Sequence, residues 1–285
     1  MADPTARPAP RGRTDTREAS ELRALKERQP ELADAVDMHI EILELHRRIQ
    51  SRVPLPWFEL NVEVMNKHQT TGQPMLRFEE IPLELTDLRL MVRQTAEVLR
   101  RHAAIEQGDY DKVQSLGRDM TLLAVAGNWY RARAEHPGSP RGEESMLDQV
   151  IMLAMRPFLS RCAEVLQQRS DLATIWTHPY CALCGGEPDF AVITPQAERH
   201  LICSRCTLRW KFEVLTCPYC RNDNRRLITS FATPDGKYRV YACDACHRYL
   251  KAYDGRRATR PVMVMVDSVA TLPLDAAAIQ RGYVA

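Results

Sequence analysis

Hydrophobic residues recur at helical spacing through the first half of the chain. Between residues 31 and 50 the apolar positions follow a period of about 3.6, and the same spacing returns over 86–104 and over 143–168. Pro157 lies inside the last of these stretches, where we expect it to kink or divide the helix, because proline donates no backbone hydrogen bond. The pattern predicts an all-α domain over residues 16–170.

Two short segments flank this predicted domain. Residues 1–15 combine three prolines with charged side chains. Because this composition offers little apolar surface to bury, it predicts a disordered tail. Residues 171–180 follow the helical part, and we interpret them as a linker.

The second half of the chain has short apolar runs of the kind that form β-hairpins. Residues 226–233 and 238–241 flank the sequence Pro234-Asp-Gly-Lys237, and Asp-Gly between apolar runs is a strong signal for a hairpin turn. Residues 190–193 and 201–202 flank a polar turn in the same way. We therefore predict two hairpins in this half, one within residues 190–202 and one within residues 226–241.

Cysteines give these hairpins a chemical role. Eight of the nine cysteines form four Cys-x-x-Cys pairs, here called knuckles: Cys181 and Cys184, Cys203 and Cys206, Cys217 and Cys220, Cys243 and Cys246. Two thiolates at this spacing bind one metal ion, and two knuckles supply the four ligands of a closed tetrahedral site. The sequence therefore predicts two metal sites.

The hairpins also predict which knuckles share a metal ion. Eighteen residues separate the first knuckle from the second, ten separate the second from the third, and twenty-two separate the third from the fourth. Since a hairpin returns the chain to its start, each longer gap brings its two flanking knuckles together. We expect Cys181, Cys184, Cys203 and Cys206 at one metal in a first ribbon (181–216), and Cys217, Cys220, Cys243 and Cys246 at the other in a second ribbon (217–260). Modules this small need the metal to fold.

Other readings of these residues are weaker. Four disulfides do not suit adjacent Cys-x-x-Cys pairs in a chain without a secretory segment. Cys162 lies in an apolar helical stripe, and we interpret it as a buried core residue. A histidine near the knuckles (His178, His200 or His247) could replace a thiolate, but eight cysteines already complete both sets.

The predicted sites do not indicate an enzyme. A full set of four thiolates leaves no coordination position for water, which argues against hydrolytic metal catalysis. The sequence also contains no Gly-rich phosphate loop, no nucleophile elbow and no His-Glu-x-x-His helix. Zinc and iron both accept such thiolate sites, so the residues alone leave the metal open.

The C-terminal residues 261–285 form an apolar tail that we expect to pack on the body of the protein. Residues 260–267 are apolar and β-prone, and residues 268–279 have the character of a short closing helix. Together the patterns predict an α+β protein: an N-terminal helical domain followed by two tandem rubredoxin-like or zinc-ribbon modules built on β-hairpins.

The charge and hydropathy of the chain limit which classes of partner we expect. The chain has 39 basic and 37 acidic residues, so it carries no strong overall field for nucleic acid or an anionic membrane. It has no apolar run of 18 residues and no apolar signal-peptide core, which predicts a soluble, cytoplasmic protein without membrane insertion. Residues 217–260 nevertheless hold ten basic and four acidic side chains, so a zinc ribbon that binds nucleic acid stays an alternative. A rubredoxin-like electron carrier is another.

The knuckles and their flanks resemble one known family. The runs Cys181-Ala-Leu-Cys-Gly-Gly-Glu-Pro188, Cys203-Ser-Arg-Cys206 with Trp210, Cys217-Pro-Tyr-Cys220 and Cys243-Asp-Ala-Cys-His-Arg-Tyr-Leu-Lys251 are similar to those of the formate dehydrogenase accessory protein FdhE. Residues 156–159 and 267–283 fit it too. One departure is Ala182, where the family commonly has proline.

The resemblance implies a function that the spacing alone does not. It implies a cytoplasmic assembly factor, comparable to a chaperone, that is required for active formate dehydrogenase and binds the catalytic subunit of that enzyme. It also implies that the eight knuckle cysteines bind two metal ions, with iron favoured over zinc. The oligomeric state is left open, with a homodimer as one alternative.

Overall fold

A computed structural model describes residues 16–57, 61–138, 144–168, 175–257 and 260–284. The predicted disordered tail and residues 171–174 of the predicted linker lie outside these residues. The helices of the first half are α1 (Arg17–Arg28), α2 (Ala33–Gln50), α3 (Val62–Thr71), α4 (Leu85–Arg101), α5 (Gln107–Leu116), α6 (Leu122–Ala134) and α7 (Met146–Gln167). The helical character predicted for this half is confirmed.

Local sequence explains where two of these helices begin. The Thr16 side chain accepts a hydrogen bond from the Ala19 amide at 3.2 Å and caps α1. Ser145 and Asp148 form a capping box at the start of α7. Pro157, which was expected to kink or divide the helix, lies inside α7, and α7 runs through it as one undivided helix. The helix buries side chains on both sides of the proline, and this packing offsets the missing hydrogen bond.

The core joins the helices to the first ribbon. The apolar stripes of α4 and α7 are buried, as the spacing predicts. The same continuous cluster contains the first two knuckles together with Leu201 and the fully buried Trp210. The helical half and the first ribbon therefore fold around one hydrophobic core.

The ribbons form one six-stranded sheet. Its strands are β1 (Pro188–Ile193), β2 (Arg199–Cys203), β3 (Arg209–Phe212), β4 (Ile228–Ala232), β5 (Tyr238–Cys243) and β6 (Tyr249–Asp254), in the order β3-β2-β1-β6-β5-β4. The β1–β2 and β4–β5 pairs are the two predicted hairpins, and both are confirmed. A parallel pairing of β1 with β6, in which Phe190 faces Lys251, joins the two ribbons into one sheet.

The C-terminal segment closes the molecule as two helices, α8 (Val264–Ala270) and α9 (Leu272–Gln280). The β-prone interpretation of residues 260–267 is therefore wrong from Val264 onward. The buried carboxylate of Asp267 accepts hydrogen bonds from the Met263 amide at 2.7 Å and the Tyr238 hydroxyl at 2.8 Å, which fixes the start of α8. One face of α8 then packs against α1 and α2. None of the described helices is both long and apolar enough to cross a lipid bilayer.

The architecture is thus α+β, as predicted. A helical N-terminal part precedes a sheet that carries the cysteine clusters, and the C-terminal helices pack on α1, α2 and the sheet.

Candidate metal centres

All four knuckles have the same backbone geometry. In each, the amide after the second cysteine donates to the carbonyl of the first: Gly185 at 2.9 Å, Thr207 at 3.1 Å, Arg221 at 2.9 Å and His247 at 2.8 Å. The amide of the first cysteine donates in return to the carbonyl five residues on, at 2.9 to 3.0 Å. These two bonds close each knuckle into a tight loop that directs both thiols to one side.

The residue after each knuckle adopts the left-handed backbone conformation. The φ angles are 69° at Gly185, 61° at Thr207, 61° at Arg221 and 56° at His247. A side chain in this region costs about 1 kcal/mol, and glycine avoids that cost. The sequence indicates this geometry only at Gly185, because the other three positions carry residues that give no sign of it.

The structure brings the eight cysteines together in two groups of four. The first cluster contains Cys181, Cys184, Cys203 and Cys206, and the second contains Cys217, Cys220, Cys243 and Cys246. Within each cluster all four Sγ atoms lie within 4.8 Å of one another. These are the groups that the hairpin argument predicts.

The sulfur separations fit a tetrahedral metal site. In the first cluster the Sγ atoms of Cys181 and Cys206 are 3.4 Å apart and those of Cys184 and Cys203 are 3.5 Å apart. In the second, the Cys217–Cys246 and Cys220–Cys243 separations are 3.7 and 3.6 Å. A tetrahedron with metal–sulfur bonds of about 2.3 Å has edges of about 3.8 Å. A disulfide would need about 2.05 Å, so each cluster could hold one metal ion.

Burial makes the first cluster dependent on a cation. Its four cysteines are 0 to 1% exposed. Burial raises the pKa of Cys181 and Cys206, whereas hydrogen bonds from the other three thiols lower the pKa of Cys184. Four thiolates are not stable together in such an apolar place, and a bound metal ion would supply the missing positive charge.

The helical part encloses the first cluster. The amides of Met75 and Leu76 donate to the carbonyls of Ala182 and Leu183 at 2.8 and 2.9 Å. Arg205, inside the second knuckle, donates to the carbonyls of Trp129 and Tyr130 at the end of α6. Both knuckles of this cluster are therefore bonded to the helical half.

The second cluster lies nearer the surface. Cys217 and Cys243 are buried, Cys246 is half-buried and Cys220 is exposed. The chain terminus covers its last knuckle, where the Val284 amide donates to the His247 carbonyl at 2.8 Å and Tyr283 donates to Asp244 at 2.6 Å. The two clusters thus share local geometry but differ in their surroundings.

The remaining candidates lie outside both clusters. His178 is hydrogen-bonded through Nε2 to the Gln69 carbonyl at 2.9 Å, and Nε2 of His200 lies 3.6 Å from a carboxylate oxygen of Glu198. His247 packs near the Tyr283 ring. Cys162 is fully buried in α7, where burial raises its pKa to about 12. None of the four is in the two described groups of metal-ligating side chains.

A helical domain that encloses one four-cysteine cluster, followed by a more exposed second one on the same sheet, defines a two-cluster ribbon protein. No protein-family model matches the chain. It is 31% identical over 137 residues to the Protein FdhE homolog of Shewanella oneidensis, covering 47% of this chain and 45% of that protein. It is 31% identical over 180 residues to the homolog of Shewanella baltica strain OS185, covering 60% and 58%. The matches thus span about half the length of these relatives.

The fold has a counterpart among solved structures. The crystal structure of the FdhE protein from Pseudomonas aeruginosa matches with a TM-score of 0.61 over 94% of this chain and 92% of that one, at 19% identity. That likeness concerns the fold. Together with the sequence similarity to the Shewanella proteins, it confirms that this chain resembles FdhE proteins.

Proposed function

We propose that this chain is a cytoplasmic accessory factor in the maturation of formate dehydrogenase, and that it acts by binding the catalytic subunit of that enzyme. The observation that carries the proposal is the sequence similarity to FdhE homologs. The four knuckles, whose pattern resembles that of this family, support it. The closed four-thiol geometry of both clusters supports a binding role, because a tetrahedral thiolate shell leaves no position for a substrate.

We further propose that the eight knuckle cysteines are the metal ligands and that the metal is iron. The fit of the sulfur separations to a tetrahedron supports the ligand assignment, and the choice of iron rests on the family resemblance alone. Bound metal would fix the two knuckles of each ribbon against each other. In this account the ions hold the ribbon surface in the shape that the partner recognises.

The proposed functional units keep the boundaries expected from the sequence. The helical unit is residues 16–170, the ribbons are 181–216 and 217–260, and the tail is 261–285. The hydrogen bonds between the first cluster and the helical half support joint action, because loss of the first metal would loosen the helical surface as well.

A nucleic-acid partner has less support than the charge count of the second ribbon suggests. Five of its ten basic side chains form ion pairs with carboxylates: Arg239 and Arg256 with Asp254, Arg248 with Glu187, Lys251 with Asp275, and Arg260 with Asp267. Three of those carboxylates lie outside residues 217–260, so a count over that window overstates the positive charge.

The direct test is capture of the catalytic subunit. An affinity-tagged chain is expressed in its own host beside the catalytic subunit of formate dehydrogenase, and the eluate is analysed by mass spectrometry. We expect co-elution of that subunit, and a host lacking the chain should lose formate-dependent dye reduction. Absence of the subunit from the eluate of a metal-loaded chain would contradict the proposal.

Two cysteine variants distinguish loss of a proposed metal ligand from the general effect of replacing a buried cysteine. Cys203→Ser removes a ligand from the first cluster and should abolish capture by unfolding the ribbons. Cys162→Ala changes the cysteine that lies outside both clusters and should retain both metals and capture. Equal capture by Cys203→Ser with full metal content would contradict both the ligand assignment and the mechanism.

A further inference from the structure

The two cysteine clusters have unequal access to solvent. All four thiols of the first are at most 1% exposed. In the second, Cys220 is exposed and Cys246 is half-buried. Since all four knuckles share the same hydrogen bonds, this difference comes from what covers the clusters and not from how the knuckles fold.

Different contacts cover the corresponding knuckles. The first knuckle of the first cluster is bonded through the carbonyls of Ala182 and Leu183 to Met75 and Leu76. In the first knuckle of the second cluster, the equivalent positions are Pro218 and Tyr219. Here the Tyr219 hydroxyl donates to the Pro188 carbonyl at 3.0 Å, which anchors this knuckle to the sheet and leaves its outer side open.

A cleft opens beside the exposed thiol. It encloses about 310 Å³ between residues 137–138, residues 178–180 and the knuckle that ends at Cys220. Arg221 and Tyr219 also line this cleft, and its volume is large enough for a small organic molecule. A reagent in this cleft can reach Cys220 without any movement of the sheet.

We propose that the second cluster is the metal-exchange site of this protein, and that Cys220 is the ligand displaced first by an incoming thiol. This inference rests on the proposed metal binding. The incoming sulfur forms a bond to the metal as a thiolate, the bond from Cys220 to the metal breaks, and Cys220 takes up the proton that the thiol released. The metal keeps its oxidation state. The first cluster is the permanent one, because its ligands become accessible only when the helical half separates from the first ribbon.

Metal release from the full-length, two-ion protein tests this proposal. Release is followed with the coloured chelator 4-(2-pyridylazo)resorcinol in the presence of a small thiol such as glutathione. We expect one equivalent to leave at least about tenfold faster than the second, because the first cluster needs a local opening of the core. Release of both ions at one rate would overturn the proposal.

Alkylation identifies which cluster releases its ion. Iodoacetamide is added when one equivalent has left, and modified cysteines are located by mass spectrometry. We expect modification at Cys217, Cys220, Cys243 and Cys246. Modification of the first cluster at that stage would overturn the proposal, and because this measurement uses the unaltered protein it does not depend on how a variant folds.

A pair of equivalent variants adds a direct comparison. Cys220→Ser and Cys184→Ser change the second cysteine of the first knuckle in each cluster. Cys220→Ser should remove the fast phase and leave the slow phase unchanged, whereas a fast phase that survives in Cys220→Ser would overturn the role of this ligand. Fewer than two ions bound to the unaltered protein at the start would contradict the ligand assignment and the exchange site together. A two-ion chain that exchanges as expected but captures no subunit would contradict only the proposed function.

Discussion

The guanidinium carbon of Arg205 lies 3.9 Å from the ring centre of Trp129, and the same guanidinium donates to the Trp129 carbonyl at 3.2 Å. Arg205 is one of the two residues between the cysteines of its knuckle, and Trp129 belongs to the last turns of α6. A cation at a helix C-terminus interacts favourably with the helix dipole. This pair therefore ties the first cysteine cluster to the helical half.

Arg205→Ala should weaken this connection. It removes two hydrogen bonds from a charged donor and a cation–π contact, which predicts a loss of about 2 to 3 kcal/mol in the free energy of unfolding. Urea denaturation of the metal-loaded protein measures it. Arg226→Ala, at an exposed position of the second ribbon, is the control and should change stability by less than about 0.5 kcal/mol. Equal effects of the two variants would contradict the role assigned to Arg205.

Gly186→Ala should disturb the first cluster directly. A Cβ atom at this position would lie 2.9 Å from the Sγ of Cys203 and 3.1 Å from the side chain of Arg205. Because that sulfur is held by the proposed metal, it cannot move aside, and we expect metal content to fall from two ions per chain toward one. Gly108→Ala in α5 meets nothing within 4 Å and should leave metal content unchanged while stabilising the helix by up to about 1 kcal/mol. Two tightly held ions in Gly186→Ala would count against this packing argument.

Substitutions at the residues that follow the knuckles, whose backbone is left-handed, should change stability in opposite directions when glycine is replaced and when it is introduced. Gly185→Ala places a side chain at φ 69° and 2.6 Å from the Arg133 carbonyl, so it should destabilise the protein by more than about 1 kcal/mol. Arg221→Gly removes a side chain from φ 61° and should raise stability by up to about 1 kcal/mol. Thermal unfolding of both metal-loaded variants distinguishes them. A stabilising Gly185→Ala, or a strongly destabilising Arg221→Gly, would contradict the claim that a residue other than glycine strains the backbone after a knuckle.

Much of this architecture follows from local patterns. Helical stripes such as that of α4, the Asp-Gly turn and the Cys-x-x-Cys spacing each act within a few residues, and these predictions of helices and hairpins are confirmed. The grouping of the cysteines required only that hairpins fold back. The residue types at Arg221 and His247 do not indicate their left-handed backbone conformation, because the position after the knuckle imposes it.

Other features depend on long-range contacts that the sequence pattern does not encode. Strands β1 and β6 pair in parallel although the paired residues, such as Phe190 and Lys251, are about sixty positions apart in the sequence, and neither strand indicates its partner. Residues 264–267 belong to the stretch with a β-prone composition but form the start of α8, because Val266 and Val269 are buried against α1 and α2 in the helical conformation. The unequal exposure of the clusters has the same origin, since it depends on which surface each ribbon meets.

The carboxylate of Asp254 should contribute to the free energy of unfolding by an amount that does not change with pH over the physiological range. Its buried carboxylate accepts hydrogen bonds from Arg256 at 2.7 Å and Arg239 at 3.2 Å, and chiefly the Arg256 bond lowers its pKa to about 2. Because folding lowers this pKa from about 3.9, the carboxylate stabilises the fold above about pH 4, and the contribution disappears as the pH falls through the folded value.

Asp254→Asn should therefore lose about 2 kcal/mol of stability, by the same amount at every pH from about 5 to 8. Denaturant unfolding at several pH values measures the difference from the unaltered protein. Asp223→Asn changes an exposed carboxylate of the same ribbon and should have little effect. A difference that already shrinks between pH 7 and pH 5 would contradict the depressed pKa.

Metal analysis with a visible absorption spectrum, on protein purified from its own host without oxygen, tests the central claim most directly. The account predicts two ions per chain bound by the eight knuckle cysteines, with the thiolate-to-iron absorption bands of a rubredoxin-like site. It also predicts that a strong chelator removes both ions and unfolds the ribbons. Two colourless zinc ions would contradict iron, and a folded protein that binds no metal would contradict the two metal centres themselves.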